Sequence, residues 1–181
     1  MMDTVETDLE TLARDIDGCC RIRGTFTLRS GQVTDEYFDK YLFESDPRLL
    51  ARVVAAMAPL LPADVDLVGG LELGGIPIVT MLSALTGLPA LFVRKEAKTY
   101  GTLRQAEGGD PRGRTVVLVE DVITTGGAVI DAATALRRLG TRVEVVVCAI
   151  DRRPADATRL AAAGIEVRAV LTRADLDAAH R

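Results

Sequence analysis

Residues 116–129, VVLVEDVITTGGAV, carry the densest run of chemically useful side chains in this sequence. An apolar stretch runs into two adjacent carboxylates, Glu120 and Asp121. Small and hydroxyl residues follow, Thr124, Thr125, Gly126 and Gly127, and open a helix-forming stretch. Strand, turn and helix start in that order aim consecutive backbone N–H groups at one point. The helix dipole adds positive potential there, so the turn can cradle an anion such as a phosphate. The segment lacks the Gly-Lys-Ser/Thr ending of a nucleotide P-loop and the glycine spacing of a dinucleotide turn. Carboxylates just ahead of a phosphate cradle are well placed to accept hydrogen bonds from the vicinal hydroxyls of a ribose whose 5'-phosphate sits in it. The plainer reading, two acids that only cap the next helix, leaves the hydroxyl and glycine turn unexplained.

Other chemistries are excluded by what is scarce. The single histidine, His180, lies next to the C-terminal residue in a segment expected to fray, which argues against His-based triads and His-ligated metals. Cys19, Cys20 and Cys148 have neither a disulfide framework nor zinc spacing, and they fit a reducing compartment. Of the 22 basic residues only three are lysines, Lys40, Lys95 and Lys98, and two of these stand at the mouth of one polar stretch. Where arginine is the default cation, lysine there points to a compact mobile ammonium.

These residues need a scaffold. The 181 residues suffice for one domain with a substantial core, and 48% apolar with 27% charged content is that of a globular protein. A net charge of -4 argues against nucleic acid as the main partner. The acidic start MMDTVETDLE, and the lack of an apolar run near 18 residues, predict a soluble, cytoplasmic chain without membrane association.

Apolar spacing predicts a leading helix over residues 4–16, capped by Asp3 or Thr4 and stopped at Gly18. Residues 24–43 hold five of the seven aromatics around Ser30-Gly31 and read as short strands about a turn. Asp46-Pro47 opens a second helix. Strands and helices then alternate, with strands at 66–72, 90–95, 115–121, 142–150 and 165–172 and helices at 76–87, 127–140 and 154–164. Continuously apolar strands of this kind belong to a mainly parallel sheet covered by helices on both faces, an α/β fold. Between Lys95 and Thr115 periodicity fails, and so long a polar, glycine-rich loop reads as a lid or binding loop.

With these residues in view, residues 116–129 resemble the phosphoribosyl-pyrophosphate (PRPP) motif of type I phosphoribosyltransferases. FTLRSG followed by YFD, FVRKEAKTYG and CAIDRR resemble segments of the orotate phosphoribosyltransferase family in order and spacing, from about Phe26 to Arg152. The resemblance implies a type I phosphoribosyltransferase fold in a single domain, residues 1–181, with a small hood over about 1–45 and a flexible lid over about 95–114. It implies transfer of the 5-phosphoribosyl group from PRPP to orotate in pyrimidine synthesis, with Mg2+ carried mainly by PRPP and not by side chains. Thr124, Thr125, Gly126, Gly127 and Ala128, with Val122 and Ile123 ahead of them, would bind the ribose 5-phosphate, and Glu120 and Asp121 the ribose hydroxyls. Leu73 and Gly74, within GGLELGGIP, would lie in the loop facing the diphosphate. Arg94, Lys95, Lys98 and Tyr100 would complete the PRPP site of a neighbouring subunit, making a homodimer, with Lys98 catalytic beside Glu120 and Asp121. Arg29, Tyr37, Phe38, Thr124 and Arg152 would receive orotate, Phe38 stacking on the ring and Arg152 pairing with its carboxylate.

The sequence departs from that family at Arg29, where many members have lysine, at Tyr100, where they have histidine, and at Leu73-Gly74, where they have Tyr-Lys. The last shifts diphosphate charge onto Mg2+ and the lid. Two other readings share the motif: a purine phosphoribosyltransferase, which would not need Arg152, and a PRPP-sensing regulator, which would have little use for a cationic loop.

Overall fold

Asp8 opens the first helix, its carboxylate accepting from the Glu10 N–H, and α1 (Leu9–Cys20) buries Leu12, Ala13, Ile16 and Cys20 along one face. The structure, a computed structural model, describes residues 8–27, 31–95 and 105–180. The helix runs through Gly18 instead of stopping there, because Gly18 faces open space and costs only local helix propensity. The expected caps Asp3 and Thr4 lie outside the described residues, and Asp8 does that work.

The chain turns directly from α1 into β1 (Arg21–Thr27), which pairs antiparallel with β2 (Val33–Phe38), Arg21 opposite Phe38 and Ile22 opposite Tyr37. Strands about a turn were expected as far as residue 43, but Tyr41–Ser45 is helical (α2). Asp39 accepts from the Tyr41 N–H and starts the turn, and Phe43 is fully buried beneath it. α3 (Pro47–Met57) follows the cap-then-proline rule, with Asp46 accepting from the Arg48 and Leu49 N–H groups.

The main sheet contains β3 (Leu67–Leu71), β4 (Ala90–Val93), β5 (Ala106–Gly108), β6 (Val116–Ile123), β7 (Val145–Asp151) and β8 (Glu166–Thr172), in the order β5-β4-β3-β6-β7-β8. All pairings are parallel except β4 with β5. Side chains alternate across the sheet. Val117 and Val119 join α1, α3 and α4 (Gly75–Thr86) in one core, while Val116 and Leu118 join α5 (Gly127–Arg137) in the other. Each such Val or Leu contributes roughly 1.5–3 kcal/mol by burial.

Three further expectations need correction. β5 lies inside the stretch read as patternless, because three residues with one buried side chain, Ala106, carry no detectable period. The helix expected over 154–164 shrinks to α6 (Arg159–Ala162), since residues 154–157 form a turn closed by the Ala157 N–H on the Pro154 carbonyl. The C-terminal segment does not fray: a Thr172/Asp175 capping box starts α7 (Arg173–Ala179), which packs on α1, and His180 Nδ1 sits 2.9 Å from Asp17 Oδ2.

β3 lies between β4 and β6, and the connections leaving its C-terminal end and that of β6 diverge to opposite sides. In open α/β sheets, ligands bind at such a switch point, outside the carboxyl ends of the strands. Residues 72–74 leave β3 and residues 124–126 leave β6 at that end of the sheet.

Candidate active site

β6 delivers the turn that follows it. Thr124 and Thr125 are exposed, and Gly126 takes φ 75°, the left-handed conformation that leads into α5. A Cβ at Gly126 would also fall 2.7 Å from Leu160 Cγ, so both backbone and packing exclude a side chain. Among the described residues no side chain caps α5 beyond a marginal 3.5 Å contact from the Gly127 N–H to Thr125 Oγ1. The first-turn N–H groups of this helix are therefore available to an anion.

The two acids differ. Glu120 is 8% exposed and lines a cleft of about 400 Å³ together with Lys40, Glu72, Arg94, Lys95, Gln105, Gly127, Ala128 and Asp131. Asp121 projects from the other face of the strand and is fully buried. Lys40 Nζ lies 2.5 Å from Asp121 Oδ2, and Glu44 of α2 approaches the same carboxyl. Neither Asp121 Oδ2 nor Glu44 Oε1 has a partner within hydrogen-bond geometry among the described residues, so the Lys40–Asp121 contact is an ion pair with poor hydrogen-bond angles. Burial, then the charge of Asp121, raises the Glu120 carboxyl well above its usual range. Burial, then the contact with Asp121, pushes Glu44 up to about 9. Burial works against ionisation of Asp121 too, yet Glu120, Glu44 and Lys40 together hold it below the ordinary range. Glu44 thus keeps its proton near neutral pH, while Asp121 is held ionised opposite the Lys40 ammonium.

Gly74 completes that arrangement: a Cβ there would fall 1.6 Å from Asp121 Oδ2 and 2.8 Å from Glu44 Oε1. Beside it, Leu73 is 66% exposed and Glu72 Oε1 accepts the Lys95 N–H. Arg94 and Lys95 follow β4. The Arg94 N–H donates to the Gln105 carbonyl at 2.8 Å, and its buried Nε has no hydrogen-bond partner among the described residues.

Next to the cradle, the Arg152 N–H donates to the Ile123 carbonyl at 2.8 Å, and its guanidinium stands 5.0 Å from the Phe38 ring centroid. Burial, with Arg173 and Arg21 nearby, lowers the Arg152 pKa. Tyr37 points the other way, as strand alternation requires, with its ring 5.5 Å from Phe26.

The structure therefore gathers Arg94, Lys95, Glu120, Val122, Gly127 and Ala128 around one cleft, with Thr124, Thr125 and Gly126 in the turn above α5 and Phe38 with Arg152 alongside. Asp121 stands behind the cleft, Leu73 and Gly74 at its edge, and Tyr37 apart. Arg29, Lys98 and Tyr100 lie outside the described residues. Sequence reasoning missed Lys40, Glu44, Gln105 and Asp131. The scarcity of lysine was the one signal that could have found Lys40. Burial pushes the Cys20 and Cys148 thiols up, so neither is an activated nucleophile.

A switch-point cleft, an uncapped helix start and an acid pair at the strand end before it define the phosphoribosyltransferase class of α/β transferase. The phosphoribosyl transferase domain family matches residues 48–166. An orotate phosphoribosyltransferase of Nocardioides sp. is 66% identical over 94% of this chain and 95% of its own length. One from Halobacterium salinarum is 40% identical over 84% and 87%. The crystal structure of Mycobacterium tuberculosis H37Rv orotate phosphoribosyltransferase in complex with PRPP superposes with a TM-score of 0.79 at 31% identity, covering 94% of this chain and 99% of that one. The chain belongs to the orotate phosphoribosyltransferase family, pentosyltransferases of pyrimidine synthesis.

Proposed function

We propose that this chain moves the 5-phosphoribosyl group of PRPP onto a ring nitrogen of orotate, releasing diphosphate and forming orotidine 5'-monophosphate. The observation that carries the reading is the uncapped start of α5, which shares its cleft with Glu120, Arg94 and Lys95 and adjoins Phe38 and Arg152. Residues 124–128 receive the 5-phosphate. Glu120 faces the cleft and can accept from a ribose hydroxyl, with Asp121 behind it. Phe38 offers a stacking face and Arg152 a cation for the orotate carboxylate, a charge that a neutral purine would not present.

As diphosphate leaves, the anomeric carbon gains positive character, and catalysis consists of holding the reactants in line and stabilising the departing charge. Arg94, Lys95 and Lys98 serve that charge, and Leu73 and Gly74 border it. The part of residues 95–114 ahead of β5 acts as the lid that excludes water, residues 1–45 as the hood over the base, and Lys98 and Tyr100 reach the site of a second subunit in a homodimer. Mg2+ fits as a passenger of PRPP. No group of three side-chain donors converges among the described residues, and Mg2+ keeps water and takes few protein ligands where phosphate oxygens are present. Glu72 and Asp131, which line the cleft, would hold its water shell, and the ion would supply charge against the leaving diphosphate. No described helix is long and apolar enough to cross a membrane; we place the enzyme in the cytoplasm, where PRPP and orotate would be met.

The test is incubation with PRPP and Mg2+ while following loss of orotate absorbance, with adenine, hypoxanthine and uracil in parallel. Turnover of orotate alone is expected. Turnover of another base would discard the assignment of Phe38 and Arg152, and PRPP binding without turnover would make the protein a sensor.

A further inference from the structure

Lys40 belongs to the segment between β2 and α2, far in sequence from the cradle, yet its ammonium lines the same cleft. Its backbone is held on both sides, since the Asp39 N–H donates to the Cys20 carbonyl at 2.8 Å and Asp39 accepts from the Tyr41 N–H. Nζ contacts buried Asp121 and stands 5.4 Å from the Tyr41 ring centroid, while a third of the side chain is exposed toward the cleft. Asp121 itself does not line the cleft. An ammonium has three hydrogens, and the ion pair with one carboxylate oxygen leaves hydrogens free to face the cleft. The geometry also needs Gly74, where any side chain would drive into Asp121 and Glu44.

We propose that Lys40 is a PRPP-binding residue and Asp121 its positioning residue: the buried carboxylate fixes the ammonium, and the ammonium meets anionic oxygens of PRPP. Glu44 packs beneath Asp121 and Gly74 leaves the space that admits both. This rests on the reading of the cleft as a PRPP site and changes the work of one acid in it. Glu120 meets the ribose, whereas Asp121 acts through Lys40. Three features support the assignment. The cation is borne on a braced segment, its partner is a carboxylate with no other access to the cleft, and lysine is rare in this chain.

The experiment is a double-mutant cycle on Lys40→Met and Asp121→Asn, with steady-state kinetics in PRPP and in orotate for each variant. Each single substitution should raise KM for PRPP about 10- to 100-fold, the loss of one charge-assisted contact. KM for orotate should change far less, and Lys40→Arg should recover part of the loss. The double variant should be no worse than the more damaged single, because both remove one unit. Additive losses would overturn the proposal by giving Asp121 its own contact with PRPP. An unchanged KM in folded Lys40→Met would overturn it through Lys40. Lys40→Gln, with folding checked by circular dichroism, replaces the methionine variant if that does not fold. A wild-type protein that neither binds nor turns over PRPP would instead remove the functional reading on which the proposal stands.

Discussion

At the scale of single residues, the decisive feature is a buried carboxyl that keeps its proton. Glu44 is nearly inaccessible, its Oε1 has no hydrogen-bond partner among the described residues, and its carboxyl titrates at about 9 against an ordinary 4.5. A carboxyl whose folded pKa lies above its unfolded value binds a proton more tightly when folded. It therefore favours folding below the unfolded value, and that contribution is lost as pH rises toward the folded one. Wild-type stability relative to Glu44→Gln, measured by urea denaturation from pH 5 to 9, should fall with rising pH, by at most about 1.4 kcal/mol per pH unit. A difference flat across that range would mean that Glu44 is ionised in the native protein. The cradle and its two acids were legible in the sequence because Glu120 to Ala128 are contiguous. Lys40, Glu44 and Gly74 were not, because their meeting with Asp121 depends on folding from three separate segments. Tyr37 and Phe38 looked equivalent as neighbours, and only the pairing of β2 with β1 turns one toward Arg152 and the other toward Phe26.

Elements with a long period were readable, and short ones were not. β6 as far as Val119 and β7 as far as Ile150 are continuous apolar runs that face two cores, so their burial reads directly from composition. β5 has three residues and α6 four, too few to show any period. The start of α7 was available as Thr172-Arg173-Ala174-Asp175, a capping-box pattern, but seven residues at a chain end weigh little against the expectation of fraying. The junction of β6 with α5 can be tested as an element through its glycine. Gly126→Ala must hold alanine at φ 75° and push its Cβ into Leu160, whereas Gly113→Ala meets the same backbone strain, φ 70°, in open space. Strain alone should cost each variant roughly 1–2 kcal/mol. Only Gly126→Ala should lose more than that and also weaken ribose 5-phosphate binding, as read by urea denaturation and calorimetry. Equal losses in the two variants, with phosphate binding intact, would mean that Leu160 yields without moving the turn.

At the scale of the whole molecule, the cleft is lined by Arg94 and Lys95, the last described residues before the segment bearing Lys98. If the segment between Lys95 and β5 of one subunit closes over the site of its partner, then Lys98→Ala should lower kcat by orders of magnitude while thermal stability is unchanged, because lid residues act in the closed state and not in the folded core. Glu120→Ala damages the other half of each site. Dimers of either variant alone would be nearly inactive. Mixing the two and allowing subunits to exchange produces hybrids in which one site carries both lesions and the other neither. Random exchange makes half of the dimers hybrid, so about a quarter of wild-type activity should return. Recovery of this size requires that Lys98 and Glu120 of one site come from different chains. No recovery, with exchange verified by mass spectrometry of tagged subunits, would place Lys98 over the cleft of its own chain, and the site would then be complete within a single subunit.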